Sequence, residues 1–188
     1  IDYNESAVQE TKLQKIEECF ALKDSPTVTW INLEGVHDIS LIEKLGTCFQ
    51  IHPLTLEDIL NTDQRPKFDD METYVYMVLK MLQYNDHGAV IISEQVSLIL
   101  GDNFVISFQE GIKGDVLEPV RQRIRSGKGK IRKMGADYLA YAIVDGIVDN
   151  YFTILEKLGE EIELLEEEVV TDPKPETLKK IHYFKREM

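Results

Sequence analysis

Between Thr73 and Glu110 the chain is dense in β-branched and aromatic residues, while the stretches on either side repeat apolar residues every three or four positions. The segments 73–85, 89–100 and 103–110 ("TYVYMVLKMLQYN", "AVIISEQVSLIL", "NFVISFQE") predict three strands. The joints "DHG" and "GDN" carry hairpin turn chemistry, so the strands form an antiparallel meander.

Helical and strand patterns precede this meander. Residues 1–4 predict a strand remnant. "SAVQETKLQKIEECF" (6–20) predicts a helix with Val8, Leu13, Ile16 and Phe20 near one face. "TVTWINLEG" (27–35) predicts a strand stopped by Gly35. "DISLIEKLGTCF" (38–49) opens on an aspartate cap and predicts a helix. In "IHPLTLEDILNTDQRPKFDDM" (51–71), Pro53 suits the first turn of a short helix and Pro66 an extended exit. Glu57 and Asp58 are adjacent on that short helix. Successive helix residues point about 100° apart, so one of the two acids leans toward the apolar face or its rim.

Helices also follow the meander. "DVLEPVRQRIRSGKGK" (115–130) predicts a short helix ending at Gly127 or Gly129. A helix of about 35 residues follows from about Met134 to Val170, reaching about 50 Å. Its second half repeats Tyr151, Leu155, Leu158, Ile162, Leu165 and Val169 as a heptad seam, with seven glutamates on the other faces. "DPKP" (172–175) turns the chain back into a returning helix. There Ile181 and Phe184 can meet the seam, and Lys179, Lys180, Lys185 and Arg186 can face the acids. The predicted fold class is α/β (α+β): a mixed, largely antiparallel sheet sandwiched between helical layers, with a long acidic helical hairpin projecting. Residues 1–133 are expected to form the sandwich and 134–188 the long acidic helix and the start of its return. The opening "IDYN" and the close "HYFKREM", inside a helical pattern, predict a piece of a longer protein.

Composition changes the picture through charge. The 34 acids against 21 lysines and arginines, formally −13, repel nucleic-acid phosphates and anionic lipid and attract cations. The run Arg121–Lys133 holds seven positive charges, but without interleaved aromatics it predicts ion pairing rather than a nucleic-acid patch. Cys19 and Cys48 stand alone, which fits a reducing compartment. His37, His52, His87 and His182 lack ligand spacing and predict surface or cap roles. No run approaches the ~18–20 apolar residues of a membrane span, and the opening residues do not resemble a signal peptide. No phosphate loop or nucleophile elbow is present, so no enzyme is predicted.

Asp145 and Asp149, four apart on the long helix, share a face in an otherwise apolar region. A protein cation or a bound metal could compensate their repulsion. Mg2+ needs only one or two carboxylates and keeps most of its water.

In this order "TWINLEGVHD", "HPLTLEDILNTDQRPKFDD", "SEQVSLIL", "SFQE" and "GKGKIRKMGADYLAYAIVDGIVDNYF" resemble the cytoplasmic N-terminal domain of the CorA family of magnesium transporters. The resemblance implies an α/β/α domain of a homopentamer on the cytoplasmic side of the cell membrane. The membrane is reached only through C-terminal segments absent from this chain. It also implies regulatory Mg2+, or Co2+ and other divalent cations, bound weakly between subunits and favouring the closed pore. Carried over by motif, the sensing acids are Glu57, Asp58 and Asp145, with Asp149 as a neighbour. The family's other main sensing ligand lies on a stalk that this chain lacks. The fragment alone is therefore expected to be monomeric or weakly associated and unable to transport. The same motifs fit a zinc-transporting relative. From the residues alone, a soluble divalent-ion binding module remains the other reading.

Overall fold

The computed structural model describes residues 1–85, 90–172 and 174–187. The strands are β1 (Asp2–Tyr3), β2 (Val8–Gln9), β3 (Val28–Glu34), β4 (Lys67–Asp70), β5 (Val75–Asn85), β6 (Val90–Leu100) and β7 (Phe104–Gln109). They form one seven-stranded sheet in the order β2-β1-β3-β7-β6-β5-β4. Only β3 and β7 run parallel; the other neighbours are antiparallel. The predicted meander is β5-β6-β7, and its second turn is closed by the Gly101 N–H donating to the Phe104 carbonyl at 2.9 Å. The first turn, "DHG", lies outside the described residues.

Helices cover both faces. On one face, α1 (Ile39–Phe49), α2 (Pro53–Leu60) and a 3-10 helix (Ile16–Leu22) pack on the sheet. Their buried Cys19, Ile42, Leu45, Phe49 and Ile59 meet Ile31, Tyr76, Val78, Ile99, Ile106 and Phe108. On the other face, α3 (Glu118–Ser126) and the first half of α4 (Ala136–Thr171) bury Val120, Ile124, Leu139, Ile143 and Ile147 against Trp30, Met81, Val96, Leu98 and Val105. Each fully buried side chain of this kind contributes about 1.5–3 kcal/mol. The period-2 alternation of the central strands supplies both cores, so the predicted sandwich is the observed one.

The predicted helix over 6–20 is not formed. The Asn4 carboxamide oxygen accepts the Ser6 and Ala7 N–H groups at 3.0 and 2.8 Å, closing a turn that returns Val8–Gln9 onto Asp2–Tyr3. Val8 then packs with the α3–α4 core, whereas Leu13, Ile16 and Phe20 pack with the α1–α2 core. The four apolar residues serve opposite faces of the sheet and not one helical stripe.

The other elements follow their local signals. The Asp38 carboxylate accepts the Leu41 N–H at 3.2 Å and caps α1. Gly127, at φ 66°, ends α3. The long helix is continuous over 36 residues and is followed by α5 (Pro175–Glu187). Its seam differs from the predicted one. Ile154, Leu158, Leu165 and Phe184 are buried together, with Leu82, Tyr84 and Ile91 packed against them, while Leu155 and Val169 are exposed. The long β5–β6 ribbon reaches out under the helix, so the seam turns toward the sheet rather than toward α5 alone. Ile181 is exposed, and Lys180 pairs with Glu168 at 3.1 Å. Pro173 of the predicted turn and the side chain of Arg186 lie outside the described residues.

Candidate metal-sensing acids

Three anchors set the roll of α2. The His52 ring nitrogen Nδ1 accepts the Leu54 N–H at 3.2 Å, which makes His52 a cap, and Pro53 occupies the first turn. The Tyr74 hydroxyl, rising from the start of the β4–β5 ribbon, accepts the His52 N–H and shares a hydrogen bond with the Thr55 hydroxyl, both at 3.0 Å. With Thr55 and Ile59 thereby turned inward, Glu57 points to solvent and Asp58 lies at the rim of the packed face. Leu56 packs over Gly46 of α1, where an added Cβ would oblige the Leu56 side chain to shift.

Asp58 is engaged at both oxygens. Oδ1 accepts the Gln64 side-chain amide at 3.1 Å and Oδ2 accepts Lys67 Nζ at 2.5 Å. The loop that delivers these partners is pinned from below. Gln95, buried on β6, accepts the Gln64 N–H at 3.0 Å and donates to the Asn61 carbonyl at 3.0 Å, and Lys80 donates to the Thr62 carbonyl at 2.8 Å. Sequence spacing could not reveal these residues. Lys67 and Gln64 become neighbours of Asp58 only because the chain turns back at Pro66 into β4, and Gln95 arrives from a strand 31 positions beyond Gln64.

Asp145 is half-buried on α4 and accepts the Tyr141 hydroxyl at 3.2 Å, which pushes the Tyr141 pKa upward. Asp149, one turn on, is exposed. Tyr141, Val148 and Phe152 are exposed on the same stripe of α4, so Asp145 sits within an uncovered apolar face. Glu57 and Asp58 lie on the α1–α2 side of the sheet and Asp145 on the α3–α4 side. The structure does not bring the three acids together. Among the described residues, no three His, Cys, Asp or Glu side chains are grouped to hold a metal.

The donors nevertheless suit a hard cation. Glu57 and Asp58 offer carboxylate oxygens at adjacent positions, and Mg2+ is held by one or two carboxylates with retained water. Among the described residues, no further ligand joins them to complete a set. The basic run is largely engaged: Arg121 pairs with Asp115, Arg125 with Glu10 and Glu118, and Lys133 with Glu5.

The fold is a three-layered α/β/α domain carried on a long acidic helix, with carboxylates displayed at its rims. The chain belongs to the CorA-like Mg2+ transporter protein family, whose sequence model matches residues 25–188. It is 48% identical over 188 residues to the cobalt/magnesium transport protein CorA of Thermotoga maritima, covering all of this chain and 53% of that protein. The complete structure of the CorA magnesium transporter from Methanocaldococcus jannaschii matches with TM-score 0.65 at 20% identity, over 81% of this chain and 47% of that one. The ZntB cytoplasmic domain from Vibrio parahaemolyticus matches with TM-score 0.62 at 16% identity, over 88% and 64%. The last two likenesses concern the fold alone. The chain spans about half the length of its Thermotoga relative. No helix among the described residues is long and apolar enough to cross a membrane.

Proposed function

We propose that this chain is the cytoplasmic, divalent-cation-sensing domain of a CorA-type channel that carries Mg2+, with Co2+ as a further cargo, and that it has no enzymatic activity. The likeness to the Thermotoga transport protein over the full chain carries the reading. In this proposal residues 1–133 form the sensing sandwich and 134–188 the arm leading toward segments that enter the membrane. The whole protein is in this proposal a pentamer integral to the membrane, with this domain on the cytoplasmic side of the cell membrane, and this domain alone associates weakly.

Glu57, Asp58 and Asp145 are the proposed sensing acids, with Asp149 at their edge. Their separation on two faces of the sheet supports a site shared between subunits, because the described residues of one chain do not close it. The apolar rim of Tyr141, Val148 and Phe152 around Asp145 is suited to such a contact. Carboxylates facing one another across a subunit boundary repel and loosen it; a divalent ion between them reverses the sign. Binding the closed form better than the open one is what makes the acids a sensor. An all-carboxylate donor set favours Mg2+ over Zn2+, which takes nitrogen and sulfur ligands readily.

Protease protection of the full-length protein, followed as Mg2+ is titrated, tests this. Asp58→Lys places a fixed cation at the site and should make protection independent of Mg2+. Asp145→Asn should move the midpoint to higher Mg2+. Wild-type midpoints in both variants would refute the sensing role and leave the soluble ion-binding module as the better account.

A further inference from the structure

Lys67 and Asp69 stand two apart on β4 and share one face of that strand, opposite Val78 and Tyr76 of β5. That face carries α2. Lys67 Nζ lies 2.5 Å from Asp58 Oδ2 and 3.3 Å from Asp69 Oδ2, with the Tyr76 ring centroid 5.1 Å away. The ammonium is thus suspended between two carboxylates over an aromatic face. It has three donors, so it can engage either acid or both. The side chains of Lys67 and Asp58 remain 30% and 33% exposed, so a hydrated ion can approach from solvent. The loop that carries Gln64, the other partner of Asp58, is pinned by Gln95 and Lys80, so Lys67 is the movable member of the set.

We infer that Lys67 is a built-in competitor of the divalent ion: it holds Asp58 when no ion is bound and withdraws to Asp69 when Asp58 takes one. The inference rests on reading Asp58 as a sensing ligand. A tethered cation acts at a high effective concentration, and any ion binding at Asp58 must outcompete it. Asp69 and the Tyr76 ring lower the cost of withdrawal, because Lys67 keeps a carboxylate and an aromatic face as it leaves. A lysine ammonium is charged throughout the physiological range, so the competitor keeps its charge whether it sits at Asp58 or at Asp69. Its function is to set the threshold, so that Asp58 responds to an abundant ion without being saturated by it.

The two variants shift the threshold in opposite directions. Lys67→Met keeps an apolar stem over Tyr76 and removes the competitor, so the Mg2+ midpoint of protease protection in the full-length protein should fall about two- to fivefold, the size of a partly exposed ion pair. Asp69→Asn removes the alternative partner, so the midpoint should rise by a similar factor. Local damage would move both midpoints the same way, and that outcome overturns the inference. If Asp58→Asn shifts the midpoint while Lys67→Met does not, the competitor role fails and the sensing role stands. If Asp58→Asn itself has no effect, both fail.

Discussion

Glu94 and Gln109 lie on the same face of the sheet, one diagonal apart on β6 and β7, and each buries one oxygen without a hydrogen-bond partner among the described residues. The other Glu94 oxygen accepts the Gly111 and Ile112 N–H groups at 3.0 and 3.3 Å, tying the exit of β7 to the sheet. Burial pushes the Glu94 carboxyl above its ordinary value of 4.5, against those two donors, and Glu110 pushes the same way. A raised folded-state pKa contributes stability below the unfolded value, and that contribution is lost as pH rises through the folded one. Glu94→Gln is neutral at every pH. Relative to wild type it should therefore gain stability progressively as pH rises above about 4.5, by about 1 kcal/mol at neutral pH. Urea unfolding of both proteins across this range measures the difference. A difference independent of pH would mean that Glu94 ionises as freely as an exposed acid.

The Asp115–Arg121 pair has the opposite sign. Arg121 donates two hydrogen bonds to Asp115, at 2.8 and 2.5 Å, and lies 5.3 Å from the Trp30 ring centroid. Burial works to raise the Asp115 pKa, but the Arg121 hydrogen bonds and charge outweigh it and hold the carboxyl below its ordinary value. Its contribution is present above the unfolded pKa and is lost as pH falls through the folded one. Arg121→Met leaves a buried, unpaired acid and should cost about 3 kcal/mol at pH 7. The penalty should shrink at acid pH, as Asp115 takes a proton and no longer needs a cation beside it. Denaturation at pH 7 and pH 3.5 distinguishes this from a simple loss of packing, which would be equal at both.

Most of the fold was legible because its signals are local. Alternation marked β5, β6 and β7, and caps and prolines marked α1, α2 and α3. The segment 6–20 misled because strand β2 is only two residues long and is fixed by its pairing with Tyr3, which periodicity does not record. The acids at 57, 58 and 145 were legible as residues, but their surroundings were not. Lys67 reaches Asp58 through a chain reversal, and Gln95 reaches Gln64 through the sheet; such contacts are products of topology.

Glu72 offers a test of backbone strain. It closes the β4–β5 hairpin at φ 65°, a left-handed conformation that costs a residue with a Cβ about 1–2 kcal/mol. Glycine adopts it freely but loses more entropy on folding. Glu72→Gly should therefore stabilise the chain by about 0.5 kcal/mol. A fall in the thermal midpoint would show that the Glu72 side chain has a favourable role that outweighs the strain.

The register of the long helix is decided by two neighbouring leucines. Leu158 is 6% exposed and packs with Ile154, Leu165 and Phe184, whereas Leu155 is 61% exposed. Heptad spacing alone assigns both to the seam, because positions three apart fall within one broad helical face. The β5–β6 ribbon breaks the tie. Leu82, Tyr84 and Ile91 form an apolar bed beneath the helix, and rotating the seam toward it buries Ile154 while turning Leu155 out. Leu158→Ala removes buried methyl groups and leaves a cavity, so it should cost about 2–4 kcal/mol. Leu155→Ala removes solvent-exposed surface and should change stability by less than about 0.5 kcal/mol. Urea denaturation of this 188-residue chain compares them directly. Equal costs would mean that both leucines are buried and that the helix rests in the register read from the heptads.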